Sequence, residues 1–312
     1  MITIIKNTII ILFFTVFDVR AIDRITLVLD WHINPNHAPI VIAQQIGAFK
    51  AVNLDIEIIS PSDPSLSMKL VAAEKADLAI TYQPQLHFYI DQGFPLIHVG
   101  TLIDTPLNTI ITLDKKIRSL SDLKGKKIGF SVSGLEETIL DTMLRHNRLS
   151  IKDVKMVNVN FQLIHALIAK KVDAIIGGYR NIEVLALKQC GENPILFNVE
   201  DYGVPVYDEL IIVANKRTLK KQNIDRFFIA LENGINYLLS NPNDSWQLFA
   251  KKYPSLDSTF FRLAWNETIP LFRRDPMRFD LKRYQAYHEF LAKNHLISKR
   301  QTIANYIYKQ NK

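Results

Sequence analysis

The stretch VLDWHINPNHAP, residues 28–39, places several chemically capable side chains at the end of an apolar segment. Asp30 and Trp31 close that segment, and Asn34 follows three positions later. His32 and His37 are five positions apart, within reach of one metal ion in principle. We interpret them instead as a loop residue and a cap or core residue, because the eight histidines show no metal-like pairing. The stretch alone is compatible with a catalytic site, a ligand clamp or a hydrogen-bonded loop.

Four other segments also place polar and aromatic residues directly after a predicted strand, or before one. They are 81–83, 131–134, 178–181 and 207–209. Because all occupy comparable topological positions, we predict that they converge with Asp30 and Trp31 on one pocket. Aromatic rings offer flat faces for stacking, and carboxylates accept hydrogen bonds from amino groups. Such a pocket suits a small planar ligand that carries amines, and it would also suit an amino acid.

The elements that must position these groups alternate between strands and helices. Strands are predicted at 25–31, 54–60, 77–81 and 95–103, and helices at 37–49, 64–76 and 83–93. Strands that alternate with helices of about a dozen residues predict βαβ units and a parallel sheet.

A second α/β run begins near residue 114. It contains predicted strands within 119–131, 155–160 and 172–178, and predicted helices at 133–147, 161–171 and 179–189. Ser133 is followed three residues later by Glu136, which is a capping-box pattern. A helix that begins there could present backbone N–H groups to a ligand.

The chain becomes helical after residue 215, with Pro and Asn between the segments. Segments 107–114 and 207–215 are predicted strands that lead into and out of the second run. We therefore predict an α/β protein with two lobes, two crossing strands as a hinge and a helical C-terminal segment. Lobe 1 would comprise 22–105 and 215–312, and lobe 2 would comprise 106–214, with the ligand in the cleft between them.

Composition narrows the class of protein. The 312 residues are 48% hydrophobic and 22% charged, which is typical of a globular chain with about two domains. The net charge is +7, but the basic residues are scattered and form no stripe interleaved with aromatics. We therefore expect no nucleic-acid partner. The single cysteine, Cys190, permits no intrachain disulfide, and we interpret it as structural.

Residues 1–21 have the pattern of a secretory signal peptide. Lys6 precedes an apolar run over 8–17, and Val19 and Ala21 supply the small residues of a cleavage site. The run is too short for a membrane-spanning helix, which needs about 20 residues. We predict cleavage after Ala21 and a periplasmic protein; an uncleaved anchor is the alternative.

Several segments together resemble the ThiY-type substrate-binding proteins of ABC importers, which carry the thiamine precursor formylaminopyrimidine. They are LDWHINPNHAPIVIAQQIGAF, VAAEKADLAITYQPQLH, GFPLIHVGTLIDTPLNTIITL, DLKGKKIGFSVSG and VPVYDELIIVAN. The similarity runs from about residue 25 to about residue 294. It implies a two-lobed periplasmic-binding-protein fold (type II), a small aminopyrimidine ligand, an ABC permease as partner, and a monomer.

The resemblance implies ligand-binding roles for ten residues: Asp30, Trp31, Asn34, Tyr82, Ser131, Gly134, Tyr179, Glu183, Tyr207 and Glu209. Trp31 would stack on the pyrimidine face, with Tyr82 or Tyr207 opposite. Asp30 and Glu209 would accept hydrogen bonds from ring-associated N–H groups.

The remaining five of these residues are expected to contact substituents. Asn34 would hydrogen-bond a heteroatom, and Ser131 with the amides near Gly134 would meet the substituent from lobe 2. Tyr179 and Glu183, one helical turn apart, would close over the ligand.

The same superfamily includes the fungal hydroxymethylpyrimidine-phosphate synthase, a pyridoxal-phosphate protein that consumes its own histidine. This chain has Thr81 and Gln85 where that enzyme has its lysine and its histidine, and its segment 204–208 lacks cysteine. Without the amine no Schiff base can form. The chain also lacks GxSxG, HExxH, GxxxxGK[ST] and GxGxxG motifs. We therefore expect no catalytic residues, no metal and no cofactor.

The sequence is compatible with two alternatives. One is a binding protein of the same fold for a sulfonate or another anion, which predicts that Arg180 points into the cleft. The other is a thiamine-pyrimidine synthase, which predicts turnover or a covalent cofactor.

Overall fold

The computed structural model describes residues 22–298 and 301–309, so the predicted signal peptide lies outside the described residues. The strands, in chain order, are β1 Asp23–Val28, β2 Leu54–Ile59, β3 Leu78–Thr81, β4 Leu96–Ile103, β5 Asn108–Thr112, β6 Lys127–Phe130, β7 Lys155–Asn158, β8 Ala174–Tyr179, β9 Ile195–Asn198 and β10 Leu210–Asn215. The helices are α1 Ala38–Gln45, α2 Ala48–Ala51, α3 Ser67–Ala72, α4 Gln83–Asp91, α5 Glu136–His146, α6 Leu163–Ile168, α7 Glu183–Gln189, α8 Lys221–Ser240, α9 Pro242–Lys252, α10 Thr259–Thr268 and α11 Leu281–Lys293.

The strands form two five-stranded sheets, with the orders β2-β1-β3-β10-β4 and β7-β6-β8-β5-β9. The prediction of parallel sheets is wrong at one strand in each, because β10 and β5 run antiparallel to their neighbours. The chain passes from the first sheet to the second between β4 and β5, and it returns to the first sheet between β9 and β10. Strands β5 and β10 are the crossing strands of the predicted hinge.

The direction of the crossing strands follows from where the chain enters each sheet. At its start β5 pairs Asn108 with Tyr179, the last residue of β8. At its start β10 pairs Leu210 with Ile103, the last residue of β4. A strand that begins at the carboxyl edge of a sheet must run against the strands that end there. Both crossings therefore lie at the carboxyl edges.

Two departures in the first unit determine how the cleft residues are held. Strand β1 ends at Val28, so Asp30 and Trp31 lie in the following loop rather than in the strand. The helix predicted over 37–49 is divided at Gly47, whose φ of 76° is in the left-handed region.

The C-terminal helices are present as predicted, and α8 packs closely against α1, which follows the cleft loop. Gly234 permits this approach, because a Cβ there would lie 2.5 Å from the Cβ of Ala43 and 2.7 Å from the Pro39 carbonyl oxygen. A larger residue would push α1 away from α8. Within 22–298 and 301–309, no helix is long and apolar enough to cross a membrane.

Candidate functional site

A cleft of about 480 Å³, including its open mouth, lies at the carboxyl edges of the two sheets. Its lining residues come from both units and both crossing strands: Asp30, Trp31, Asn34, Asn36, Tyr82, Asn108, Val132, Leu135, Glu136, Leu163, Gly177, Tyr179, Ile182, Glu183 and Glu209. Seven of the ten residues singled out in the sequence are among them, and five of these seven lie in the strand-end segments.

The structure places Ser131 and Gly134 outside the cleft lining. The Ser131 hydroxyl donates to the carbonyl of Asn160. The Gly134 amide donates to Glu137 Oε2 at 2.7 Å. These groups are already hydrogen-bonded within the protein, so their expected contact with a ligand substituent is not what the structure shows.

Tyr207 also lies outside the cleft lining. Its side chain is fully buried, and its ring packs edge-on against Tyr287 with centroids 5.6 Å apart. Its hydroxyl donates to Glu209 Oε2 at 3.2 Å. Tyr207 therefore supports Glu209 instead of stacking opposite Trp31.

The capping box predicted at Ser133 is also wrong. Helix α5 begins at Glu136 and its N-cap is Leu135, because Gly134 takes a left-handed φ of 84° and delays the helix. The Glu136 carboxylate instead accepts from the amides of Ser131 at 2.6 Å and Val132 at 3.2 Å. Glu136 therefore lines the cleft and does not take part in a capping box.

Asp30 is fixed by two buried partners. Its Oδ1 is 2.8 Å from His37 Nε2, and its Oδ2 accepts from the Tyr82 hydroxyl at 3.0 Å. His37 Nδ1 accepts from the Asn34 amide at 3.1 Å, so Nε2 carries the proton and donates to Asp30. The interpretation of His37 as a buried cap is confirmed, since it closes the 3-10 turn over Pro35–His37.

The Tyr82 hydroxyl is held neutral by its surroundings. Burial, and then the neighbouring Asp30 carboxylate, raise the pKa of Tyr82 well above its ordinary value. A neutral hydroxyl that donates to Asp30 leaves its oxygen lone pairs free to accept a bond from a ligand.

Glu209 joins both crossing strands. Its Oε2 accepts from the amides of Leu107 at 2.5 Å and Asn108 at 3.0 Å, where β5 begins. Its Oε1 accepts from the Tyr179 hydroxyl at 3.2 Å, at the end of β8. Burial raises the pKa of Glu209 to about 7, against the opposing effect of these hydrogen bonds.

Two further carboxyls face the cleft from the second unit. Burial raises the pKa of Glu136 to about 8 and that of Glu183 to about 7. Glu183 Oε2 accepts from the Tyr179 amide at 2.8 Å. With Asp30 and Glu209, four carboxyl groups therefore surround one small space.

Trp31 supplies the flat surface. Its ring meets Phe161 edge-on, with centroids 4.6 Å apart, and Phe161 belongs to the second unit. His32 is exposed, as expected of a loop residue, and its ring also lies against Phe161 at 4.2 Å.

A second contact joins the two units across the cleft. Asn181 Nδ2 donates to Asn36 Oδ1 at 2.7 Å and to Thr268 Oγ1 at 2.8 Å. Together with the Trp31–Phe161 contact, this bond shows the two units closed on each other.

The charge of the cleft is one-sided. None of the described residues that line it is a lysine, an arginine or a histidine. Arg180, the arginine expected to reach an anion, pairs instead with Glu200 at 2.7 Å and lies outside the lining. The described residues also contain no cluster of three or more His, Cys, Asp or Glu that could hold a metal ion.

Four polar or close-packed lining residues were missed in the sequence: Asn36, Asn108, Glu136 and Gly177. Asn108 begins a crossing strand, and its Oδ1 accepts from the Gly177 amide at 3.0 Å. The pair of glycines at 177–178 at the end of a predicted strand is the one signal that could have drawn attention to this wall.

Solved structures with this architecture define the class of protein. The alkanesulfonate-binding protein of Xanthomonas axonopodis pv. citri aligns with a TM-score of 0.72 and 17% identity, covering 91% of this chain and 98% of that one. A Candida albicans protein with the generic periplasmic binding protein fold aligns with a TM-score of 0.71 and 17% identity, covering 93% and 97%. The chain therefore has the two-lobed periplasmic-binding-protein fold.

Sequence comparison identifies the family within that fold. A family model described as NMT1/THI5 like matches residues 34–245, and the chain belongs to this family. A Haemophilus influenzae protein assigned to thiamine biosynthesis is 47% identical over 286 residues, 91% of each chain. A formylaminopyrimidine-binding protein of Halalkalibacterium halodurans is 30% identical over 234 residues, covering 74% of this chain and 71% of that protein.

Enzymes also occur among the relatives. A 4-amino-5-hydroxymethyl-2-methylpyrimidine phosphate synthase of Legionella pneumophila is 25% identical over 262 residues, covering 82% of each chain. The relatives thus include both a binding protein and synthases. Which of the two functions this chain has must be inferred from the residues of its cleft.

Proposed function

We propose that this protein is the solute-binding component of an ABC importer and captures an aminopyrimidine precursor of thiamine. Formylaminopyrimidine or a hydroxymethylpyrimidine-like compound is the expected ligand. The observation that carries the proposal is the cleft itself, in which one tryptophan face and four carboxyl groups surround a space without a basic side chain. The 30% identity to a formylaminopyrimidine-binding protein supports the same ligand.

The cleft chemistry matches such a ligand group by group. Stacking of an aromatic ring on Trp31 contributes about 1 kcal/mol beyond the area it buries. Amino groups on the ring can donate to carboxylates, and hydrogen bonds to an ionised acceptor are stronger than those between neutral groups. Asp30 and Glu209 are the acceptors proposed from lobe 1 and from the crossing strand, and Asn34 supplies a polar edge.

Two observations support a binding protein rather than a synthase. Thr81 and Gln85, at the positions of the synthase lysine and histidine, are buried, and the Thr81 hydroxyl donates to Gln85 Oε1 at 3.0 Å. Neither lines the cleft. The pair is internally satisfied, and neither side chain is a nucleophilic amine.

An anion is the less suitable ligand. Those of the four carboxyls that are ionised would repel it, and the Arg180 guanidinium that could have compensated is paired with Glu200. A sulfonate in this cleft would therefore have no counter-charge from a lining side chain of the described residues.

Capture would proceed by closure about the crossing strands. We propose lobe 1 as 22–105 and 215–312, and lobe 2 as 106–214. A ligand that contacts both lobes favours the closed state, because open lobes cannot make both sets of contacts. The Glu209 bonds to Leu107 and Asn108 lie at the pivot, so they can persist while the lobes move.

The setting of this activity belongs to the same proposal. Residues 1–21 would direct the chain to the periplasm, where it would act as a monomer that delivers its ligand to the permease. The fold of the solved neighbours supports this setting.

A thermal-shift titration tests the ligand. Formylaminopyrimidine and hydroxymethylpyrimidine should raise the melting temperature, because a bound ligand stabilises the folded state by RT ln(1 + [L]/Kd). Taurine should have no effect, and thiamine is titrated for comparison. Trp31→Ala should lose the shift while its ligand-free melting temperature stays close to wild type. A shift with taurine alone would overturn the proposal.

A further inference from the structure

We propose that Glu136 determines specificity by accepting a hydrogen bond from the amino group of the ligand, so that the cleft distinguishes an amino-pyrimidine from its oxo analogue. This inference rests on the proposed function, since it concerns the same cleft and ligand class. It adds a recognition residue from the second lobe that neither the sequence pattern nor the family comparison had assigned.

The orientation of the Glu136 carboxyl is fixed by the backbone behind it. Oε2 accepts from two amides, those of Ser131 and Val132, at 2.6 and 3.2 Å. Because Oε2 accepts two N–H bonds it stays turned away from the cleft, and the proton of a neutral Glu136 would sit on Oε1. Oε1 is therefore the oxygen that meets the ligand.

Gly177 makes room for Oε1. Its φ of 91° is in the left-handed region, and a Cβ built there would overlap the Glu136 carboxyl. The Gly177 amide is itself tied to Asn108 Oδ1 at 3.0 Å, so strand β8 cannot simply move aside. The carboxyl thus sits in a recess that only glycine can form.

Oε1 is also unsatisfied by the protein. No residue in the described part of the chain donates a hydrogen bond to it, although Glu136 is only 3% exposed and lines the cleft. Once Glu136 is ionised, an oxygen without a protein donor gains from a ligand N–H and not from a ligand carbonyl. This geometry makes Glu136 a selector for amino groups.

Glu136→Gln inverts the polarity at this one position. The two backbone amides keep the glutamine oxygen where Oε2 was, because only an oxygen can accept from them. The glutamine NH2 group must then take the place of Oε1 and face the ligand. The cleft would change from an acceptor to a donor at that point.

The experiment measures Kd by isothermal titration at about pH 9 for 4-amino-5-hydroxymethyl-2-methylpyrimidine and for its 4-oxo analogue, with wild type and Glu136→Gln. At this pH Glu136 is ionised, since burial raises its pKa to about 8. Wild type should prefer the amino compound. In the variant the preference should fall by about 10- to 100-fold, the effect of one charge-assisted hydrogen bond. Glu137→Gln is the matched control, because Glu137 bonds the Gly134 amide outside the cleft, and it should keep the wild-type preference.

The ratio of the two Kd values within one variant does not depend on how much of that variant is correctly folded. An unchanged ratio in Glu136→Gln, with wild type still binding, would overturn the role of Glu136 and leave the proposed function intact. If wild type binds neither pyrimidine, the proposed function fails and this inference fails with it.

Discussion

The same substitution, Glu136→Gln, should make the ligand-free protein more stable than wild type, by a margin that grows as the pH rises. Burial raises the pKa of Glu136 to about 8 from an ordinary value of 4.5, and the Glu137 and Glu209 carboxylates add repulsion. Between these two values the folded protein keeps the proton and the unfolded chain releases it. Folding therefore binds a proton in this window.

The sign of the effect follows from that proton. The free energy of unfolding falls as the pH rises wherever the folded state holds more protons than the unfolded state. The contribution of a neutral Glu136 is thus fully present below pH 4.5 and is lost progressively up to about pH 8. Each pH unit inside the window costs about 1.4 kcal/mol, so the step from about pH 5.5 to about pH 7.5 costs wild type about 3 kcal/mol.

A glutamine at position 136 is neutral at every pH, so the variant does not lose this part of the free energy of unfolding. Urea unfolding at several pH values should therefore show that Glu136→Gln gains stability over wild type by about 3 kcal/mol across that interval. Glu183 and Glu209, whose pKa values are about 7, contribute their own slope in both proteins, so the difference between the two isolates Glu136. Parallel stability curves for wild type and variant would refute the burial of Glu136.

Two further substitutions test the walls of the cleft. Gly177→Ala should weaken aminopyrimidine binding at least about tenfold by calorimetry, since its Cβ displaces the Glu136 carboxyl. Gly134→Ala is its control: φ is similarly positive at 84° but the space is open, so affinity should hold; equal losses in both would point to backbone strain alone. Arg180→Ala should change aminopyrimidine affinity by less than about threefold, because Arg180 pairs with Glu200 outside the cleft. A large loss measured in the same titration would contradict the placement of Arg180 outside the binding contacts.

Most of the site residues that the sequence predicted correctly lie at or after the carboxyl ends of parallel strands. Asp30 and Trp31 follow β1, whose carboxyl end reaches the cleft. Tyr82 follows β3, which pairs with β1 in the sheet. Parallel strands bring such ends together whatever the details of the loops. This is why Asp30, Trp31 and Tyr82 line the cleft although β1 stops at Val28, earlier than predicted.

The residues that could not be predicted depend on loop conformation and on distant neighbours. Ser133 and Glu136 have the spacing of a capping box, and only the left-handed φ of Gly134 shows that the helix begins later. The recess for Glu136 is created by Gly177, 41 positions along the chain. Local pattern carries no information about such a pair.

The sheet directions were missed for a related reason. Alternating strands and helices predict parallel pairing, and each crossing strand was recognised from its position between the two runs. Its direction depends on which edge of the second sheet it enters, which is a property of the whole fold. Strand β9, Ile195–Asn198, was missed because four residues beside a proline give too little alternation.

The central claim is that this acidic, aromatic cleft holds an aminopyrimidine, and equilibrium binding tests it most directly. Purified, ligand-stripped protein would be titrated with formylaminopyrimidine in one calorimetric experiment and with an alkanesulfonate in another. We predict saturable one-to-one binding of the pyrimidine and no heat of binding for the sulfonate. Saturable binding of the sulfonate with none of the pyrimidine would contradict the claim.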